Sequence, residues 1–491
     1  MSSPVLLAID LGTTGNRAIL FDKDQNILAK AYQEFPQYFP QPGWVEHNPE
    51  EIWETTRSVI AQAIAESKID PTQIVSAGIT NQRETVLIWD KTTGKPIHNA
   101  IVWQCRRTAD RCAKMKAEGA EPSLRQRTGL SLDPYFSGTK LQWLLEKFPP
   151  KPEYLCGTID TWILWKLTGG KVHATEPGNA SRTLLMNLAR AEWDKDLLKF
   201  FGVPREMLPL IRPSDSYFGD IDPTLFGVPI PIRAILGDQQ ASLFAQGCFA
   251  PGMYKNTYGT GGFLLTNTGT NPVFSKNGLL STVAWHTNGQ TEYALEGSVF
   301  IAGAAIQWLR DGLGIIEHAS ETEAMMNTLS DNEGVYFVPA LAGLGAPHWD
   351  PNARGMLIGL TRGTKREHFV RAALEALCYQ TQDVLNAMEH DSGKKIKRLF
   401  VDGGACANNA LMQFQADLLG VSVYRPEIIE TTALGAALLA GVSAGIYKNR
   451  DEAVRMRKIE RIFEPQKSAS EMEKFSLQWK EAVERAKAWV K

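Results

Sequence analysis

From Val5 the chain runs through short apolar stretches separated by polar turns: VLLAID, LGTTGN, RAILFD, DQN and ILAKAYQEF. Apolar runs of this length, punctuated by Gly, Asp and Asn, predict a β-meander whose first two strands are joined by a polar Gly/Thr loop. Near mid-chain, MYKNTYGTGGFLLTNTGTNPV repeats the arrangement as strand, Gly/Thr turn, strand and turn. Gly12, Thr13 and Gly15 have counterparts in Gly259, Thr260 and Gly262, a shared G-T-x-G spacing about half a chain apart. So short a match is, alone, weak evidence of duplication.

Between these segments helical periodicity (49–66, 140–147) alternates with strand-like runs (74–80, 85–89), the pattern of α/β domains. A boundary close to Gly247 divides the chain into domains 1–246 and 247–491. Beyond it the pattern predicts helices over 299–309, 367–388 and 410–419 and strands over 334–339 and 399–402. In the last segment, 471–490, Met472, Phe475, Trp479, Val483 and Ala486 recur at helical spacing, which predicts an amphipathic helix packed on the second domain.

Composition narrows the class. A chain of 491 residues, 44% hydrophobic and 22% charged, suits two globular domains of ordinary size. With 52 Lys+Arg against 54 Asp+Glu the formal charge is -2, so no global field would hold the protein on nucleic acid or an anionic membrane. A small solute is the expected partner. The six cysteines are scattered, with no CxxC pair and no spacing suited to zinc, and read as free thiols of a reducing cytoplasm. No Lys or Arg precedes the first apolar run, and Asp10 interrupts it early; the stretch 431–445 is mostly Ala and Gly and too short to span a bilayer. The expectation is a cytoplasmic protein with no export signal and no membrane insertion.

Two loops suit phosphate. In AIDLGTTGNRA a carboxylate, Asp10, ends a buried strand and is followed by glycines, the hydroxyls of Thr13 and Thr14, and Arg17. Glycines let backbone N–H groups approach an anion, hydroxyls donate to phosphate oxygens, and a carboxylate can hold hydrated Mg²⁺. An ordinary Gly-rich hairpin with a buried Asp would read the same, but a second such loop at 258–262, carrying Thr260, makes two facing hairpins that could clasp a polyphosphate. In LFVDGGACANN the glycines would let a flat base lie against backbone while Asn408 meets its edge or ribose; the alternative is Asn408 as the N-cap of the next helix. No P-loop and no HRD or DFG set is present.

Other residues suit a small polyol. Arg83 and Glu84, in NQRE between two apolar runs, could bind successive hydroxyls, Arg donating and Glu accepting; a solvated β-turn is the bland alternative. Asp238, in GDQQ after the run IPIRAIL, lies at a strand's C-terminal end, where a carboxylate can take the proton of a hydroxyl that attacks phosphorus, or simply cap a helix. Trp103, Tyr135 and Phe263 could cover the C–H face of the polyol, although singly each reads as core.

Taken together the chain resembles the FGGY carbohydrate kinases along almost its whole length. The resemblance is carried by IDLGTTGNRA, GWVEHNPEEIW, GITNQRET, PYFSGTKLQWLLE, GDQQASLFAQ, NTYGTGGFLLTNTG, ALEGSVFIAGAAIQWLRDGL, VPALAGLGAPHWDP, VDGGACANNALMQFQADLLG and RPEIIETTALGAALLAG. It implies an α/β fold of two ribonuclease-H-like domains of the actin, hexokinase and Hsp70 ATPase type, closing over a cleft. It also implies phosphorylation of a short polyol, glycerol above all, by MgATP. By similarity Arg83, Glu84, Tyr135, Asp238 and Gln239 would contact glycerol, Trp103 and Phe263 would wall its carbons, and Asp238 would be the general base. Thr13, Thr14, Arg17, Thr260, Gly303 and Gln307 would meet the nucleotide's phosphates or their surroundings, Gly404 and Asn408 its adenosine part, and Asp10 with Asp238 would serve Mg²⁺.

The chain departs from the family pattern in places. DLGTTGNRA stands where DQGTTSSRA is usual, so Gly15 and Asn16 are expected to donate differently to phosphate, and Cys105 replaces the Asp of WQDRRT. The segment FGDIDPTLFGVPIPI carries neither the Gly- and Arg-rich loop through which some members bind fructose 1,6-bisphosphate nor the His that others offer for phosphorylation. Rival readings are a kinase of the same family for another polyol or ketose, and an ATPase switch with no phosphoryl acceptor. The oligomeric state stays open between a homodimer and a homotetramer.

Overall fold

The computed structural model describes residues 3–491. Its first sheet contains β1 (Val5–Leu11), β2 (Gly15–Asp22), β3 (Ile27–Glu34), β4 (Ile74–Asn81), β5 (Gly219–Ile221) and β6 (Ile230–Gly237), in the order β5-β6-β4-β1-β2-β3. The second contains β7 (Tyr254–Tyr258), β8 (Gly262–Gly269), β9 (Leu280–Thr287), β10 (Gln290–Val299), β11 (Arg398–Asp402), β12 (Ser422–Pro426) and β13 (Ile459–Phe463), in the order β9-β10-β8-β7-β11-β12-β13.

The two sheets share one plan. In the first, β1 runs antiparallel to β2 and β2 to β3, while β1, β4 and β6 are parallel neighbours. In the second, β7 is antiparallel to β8 and β8 to β10, while β7, β11 and β12 are parallel neighbours. The short G-T-x-G echo in the sequence therefore marks equivalent turns of two sheets with the same strand plan. Each Gly/Thr turn closes on itself, Gly12 N donating to Gly15 O at 3.1 Å and Gly259 N to Gly261 O at 2.9 Å.

β1 is buried along nearly its whole length because structure covers both of its faces, whereas edge strand β3 exposes most of its residues and carries Lys30 and Glu34. Helix α1 (Pro49–Ser67) packs on β2 and β3; Asn48 caps it by accepting from Glu50 N at 3.0 Å, and Pro49 opens its first turn. Helix α2 (Asp238–Ala245) leaves directly from the end of β6. The second half adds α3 (Arg366–Ser392), α4 (Asn409–Leu419), α5 (Thr431–Ser443) and α6 (Ala469–Ala486).

A hydrophobic core lies within each half, and a further one joins them. The joining core is built from α2 and α5 with Leu6, Ala8 and Phe21 of the first sheet and Leu265 and Phe400 of the second. Although α5 comes late in the chain, it packs against β1, β4 and β6. That approach is close: a Cβ at Gly435 would stand 1.9 Å from the carbonyl oxygen of Ala241 in α2. Gly435→Ala must push the helices apart, and overpacking of this kind costs about 1–3 kcal/mol. Thermal unfolding should show a lowered Tm; an unchanged Tm would mean that the helix pair gives way freely.

Some boundaries differ from expectation. The helix expected over 299–309 begins only at Gly303 and runs to Gln307, followed by a π-turn at Trp308–Gly312, because Val299 is the last rung of β10 and pairs with Gly262. The terminal helix starts at Ala469 on a capping box between Ser468 and Glu471 and stops at Ala486, short of 490. Its five periodic apolar residues are all buried. The strand expected over 334–339 is Tyr336–Val338.

Candidate active site

Parallel strands β1, β4 and β6 bring their C-terminal ends to one edge of the first sheet, the place where such sheets collect ligand-binding groups. Asp10 lies near the end of β1, Arg83 and Glu84 follow β4, and Asp238 follows β6. Chain topology thus gathers four charged residues separated by as much as half the sequence. Local backbone then aims them. Gly237 leaves room for the Arg83 stem, since a Cβ there would stand 2.7 Å from Arg83 Cδ. Glu84 adopts a left-handed backbone (φ 60), unfavourable for a residue with a side chain, and Ser137 Oγ anchors its carbonyl at 2.8 Å.

The charges form a buried network. Arg83 Nε lies 3.0 Å from Asp238 Oδ1. Its Nη1 donates to Glu296 Oε2 at 2.5 Å and to Gln240 Oε1 at 3.2 Å, and its Nη2 donates to Glu296 Oε1 at 3.0 Å. Arg182 Nε donates to Glu84 Oε1 at 2.6 Å and Arg182 Nη2 to Glu296 Oε1 at 2.8 Å. Arg83, Glu84, Arg182 and Glu296 are almost wholly buried, whereas the Asp238 side chain is 29% exposed. Asp238 is the most exposed member of the network.

Burial raises the Asp238 carboxyl above the usual carboxylate range, with the Arg83 charge opposing it. Burial also raises Glu84, against the pull of Arg182 and Arg83. For Glu296 burial acts in the same sense, but Arg182 and Arg83 outweigh it and hold the carboxyl at about 2. Asp10 is pushed up to about 6 by burial; Arg17, 3.4 Å away, opposes this, and Asp238 is near enough to add to it. Lys255, wholly buried on β7, is brought down to about 8 by burial against the charges of Asp402 and Asp238, and donates to Gln239 Oε1 and, at 2.8 Å, to Thr257 Oγ1.

Aromatic rings wall the network. Trp103 packs edge-on to Tyr135 at 5.6 Å and to Phe263 at 6.2 Å between centroids, and its Nε1 donates to Thr13 Oγ1 at 3.0 Å. Phe263 comes from β8, so the wall is completed across the two halves of the chain. Tyr135 is buried, with Lys140 Nζ donating to its carbonyl at 2.7 Å.

The expected phosphate and adenosine residues fall into two groups. Thr13, Thr14 and Arg17 sit on the β1–β2 turn and the start of β2, Thr14 exposed. Thr260, Gly303, Gln307, Gly404 and Asn408 belong to the second sheet's side; Thr260, Gln307 and Gly404 are exposed, and Gly303 N donates to Gly259 O at 2.9 Å, tying the second hairpin to the following helix. One expectation is corrected. Asn16 turns inward, donating from Nδ2 to Ile52 O at 2.9 Å and Thr56 Oγ1 at 3.0 Å, so it fastens the loop to α1 and offers no donor to phosphate; Gly15 has no side chain to offer. The Asn408 side chain caps α4, its Oδ1 accepting from Leu411 N at 2.9 Å, and its Nδ2 donates one hydrogen to Thr322 Oγ1 at 3.1 Å. Cys105 is buried, its Sγ accepting from Arg107 Nε at 3.1 Å, and it touches none of the network.

Models of the FGGY family of carbohydrate kinases match both halves, the N-terminal domain over residues 5–245 and the C-terminal domain over 254–444. The chain belongs to this family. It is 56% identical to a glycerol kinase of Carboxydothermus hydrogenoformans over 100% of this chain and 99% of that protein. It is 54% identical to glycerol kinase 2 of Thermotoga maritima over 99% of each. Among solved structures, Plasmodium falciparum glycerol kinase with ADP superimposes with a TM-score of 0.92 at 35% identity, covering 99% of this chain and 98% of that one. A gluconate kinase from Lactobacillus acidophilus has the same fold, with a TM-score of 0.90 at 22% identity.

Two members of the charge network in this FGGY kinase, Glu296 and Arg182, escape a reading by motif. Glu296 is one of two buried carboxylates, with Glu292, in the strand QTEYALEGSV, and Arg182 follows the short helix Pro177–Ala180. A charge inside an otherwise buried strand is a signal, because such a group persists only when paired. Its partners, however, lie over 100 positions away. The metal question is also one of geometry. Among the described residues no cluster of three or more His, Cys, Asp or Glu is arranged to hold a metal ion. Asp10, near the end of β1, and Asp238, after β6, lie at the same edge of the first sheet, and a Mg²⁺ ion held by one or two carboxylates would fit acids so placed.

Proposed function

We propose that this FGGY kinase transfers the γ-phosphoryl group of ATP to a terminal hydroxyl of glycerol, yielding sn-glycerol 3-phosphate and ADP. The observation that carries the reading is the convergence of Arg83, Glu84 and the partly open Asp238 under a wall of Trp103, Tyr135 and Phe263. Full-length relatives named glycerol kinase at 54–56% identity support the same substrate.

Arg83 donates to one hydroxyl and Glu84 accepts from the next. Gln239 and Tyr135 bound the remaining polar edge. Asp238 accepts the proton of the attacking hydroxyl as its oxygen bonds to the γ-phosphorus, and the bond to the bridging oxygen breaks, leaving ADP. Asp10 and Asp238 would hold Mg²⁺, which would neutralise phosphate charge. Thr13, Thr14, Arg17 and Thr260, with the backbone at Gly303 and Gln307, face the phosphates, and the open backbone at Gly404 receives the adenosine. Residues 1–246 supply the polyol and Mg²⁺ side and 247–491 the nucleotide side, and closure between them excludes water as a competing acceptor.

The enzyme works in the cytoplasm as a homodimer or homotetramer, with glycerol and ATP as its partners and neither nucleic acid nor membrane. The small-solute partners are supported by a charge of -2 and the cytoplasmic setting by six free, buried cysteines; no described helix is long and apolar enough to cross a membrane. The test is ADP release from MgATP with and without glycerol, with the product identified by mass and stereochemistry and a panel of polyols alongside. Glycerol-dependent ADP with sn-glycerol 3-phosphate is expected. ADP release indifferent to every polyol would overturn the reading, and preference for a larger sugar would replace the substrate.

A further inference from the structure

Resting on the reading of the site as one for glycerol, we infer that Arg182 and Glu296 are positioning residues that set its discrimination between glycerol and polyols lacking a hydroxyl. Glu296 has no acceptor capacity to spare for substrate, and Arg182 commits Nε to Glu84 and Nη2 to Glu296, while its buried Nη1 has no hydrogen-bond partner among the described residues. Glu296 is fully buried, and its two oxygens accept from Arg83 Nη1 at 2.5 Å, Arg83 Nη2 at 3.0 Å, Arg182 Nη2 at 2.8 Å and Ser298 Oγ at 3.2 Å. Arg182 is fully buried as well, and its guanidinium lies over the rings of Tyr135 and Phe136 at 5.6 and 5.4 Å.

Counting donors shows what this arrangement leaves open. A guanidinium has five N–H groups in one plane. In Arg83, Nε faces Asp238, both hydrogens of Nη1 are taken by Glu296 and Gln240, and one of Nη2 is taken by Glu296. One N–H of Nη2 remains. In Glu84, Oε1 accepts from Arg182, and among the described residues Oε2 accepts no hydrogen bond. The site therefore offers one oriented donor and one oriented acceptor to neighbouring hydroxyls.

The two-pronged contact of Glu296 fixes the plane of Arg83, and Arg182 fixes Glu84 while sharing the same Glu296 oxygen. The brace spans the molecule: Glu296 stands on β10 of the second sheet, whereas Arg83, Glu84 and Arg182 come from the first half of the chain. A site with fixed, buried hydrogen-bonding groups rejects an analogue that lacks the matching hydroxyl, because those groups are then left unpaired. Loosened groups turn toward other partners, and the penalty shrinks.

The experiment compares kcat/KM for glycerol and for propane-1,2-diol, which lacks one hydroxyl, in the full-length protein and in Arg182→Lys and Glu296→Gln, with KM for ATP and thermal unfolding measured beside them. The glycerol-to-propanediol ratio should fall by about 10-fold or more in each variant, with KM for ATP little changed. A ratio equal to that of wild type overturns the inference, as does a parallel rise of both KM values with the ratio preserved, the mark of a merely structural role. Ser298→Ala removes only one bond to Glu296 and keeps the question answerable if Glu296→Gln does not fold. Its ratio should fall by about 2–10-fold, and an unchanged ratio overturns the inference. Adding Arg182→Lys to Glu84→Gln should change the ratio little further; additive losses would show that Arg182 does not act through Glu84. Failure of the glycerol reading itself is visible separately, in wild type alone, as absence of glycerol-dependent turnover.

Discussion

Asp238→Asn lowers kcat for glycerol phosphorylation by about 10²-fold or more, the scale of a lost general base, and leaves ATP binding intact. The substitution is nearly isosteric, and its amide oxygen can still face Arg83 Nε and accept from Gln239 N, the two contacts that Oδ1 makes at 3.0 and 2.7 Å. Packing around Asp238 therefore changes little, while the ability to take a proton is lost. Burial raises the Asp238 carboxyl above the ordinary carboxylate range, with Arg83 opposing, and this makes it a stronger proton acceptor than a free aspartate. Single-turnover and steady-state assays, with calorimetric titration of ATP, separate the two effects. Turnover of glycerol near the wild-type rate would remove Asp238 from the role of base.

Arg83→Ala raises KM for glycerol far more than KM for ATP, and destabilises the fold at the same time. Loss of a hydrogen bond from a charged donor is worth about 1.5–3 kcal/mol, or roughly 10- to 100-fold in apparent affinity. Stability suffers for a different reason. Arg83 is only 2% exposed, and Glu296, its partner, is fully buried. Removing one member of a buried pair costs about 3–5 kcal/mol because the other charge is stranded; Arg182 remains on Glu296 and limits the loss. Arg83→Lys keeps a charge but not the planar fork, so it should recover stability more than it recovers glycerol KM. A rise in KM confined to ATP would take Arg83 out of the substrate site.

The fold was legible where local chemistry repeats. β1 and β2 with their Gly/Thr turn, and β7 and β8 with theirs, are written in apolar runs and turn residues that need no distant partner to be read. Helix ends were harder. Val299 belongs to β10 because Gly262 of β8 pairs with it, and no periodicity within 299–309 reveals that. Asn16 shows the same limit at the scale of one side chain: its place in a phosphate-type loop suggested a donor, but α1 lies behind it and takes both of its amide hydrogen bonds.

The sequence by itself determined the family, the repeated Gly/Thr hairpins and the residue types at the site. These depend on short stretches whose composition carries their own geometry, and on many such stretches occurring in one order. Only the tertiary structure decided which charges meet. Arg83, Arg182, Asp238 and Glu296 are brought together by parallel strands of one sheet, by the short helix before Arg182 and by a strand of the other sheet, and nothing in the spacing of four residues so far apart encodes that meeting. A buried charge can be suspected from sequence as an anomaly in an apolar run. Its partner is chosen by long-range packing, because the low-polarity interior admits a charge only beside an opposite one, wherever in the chain that one lies.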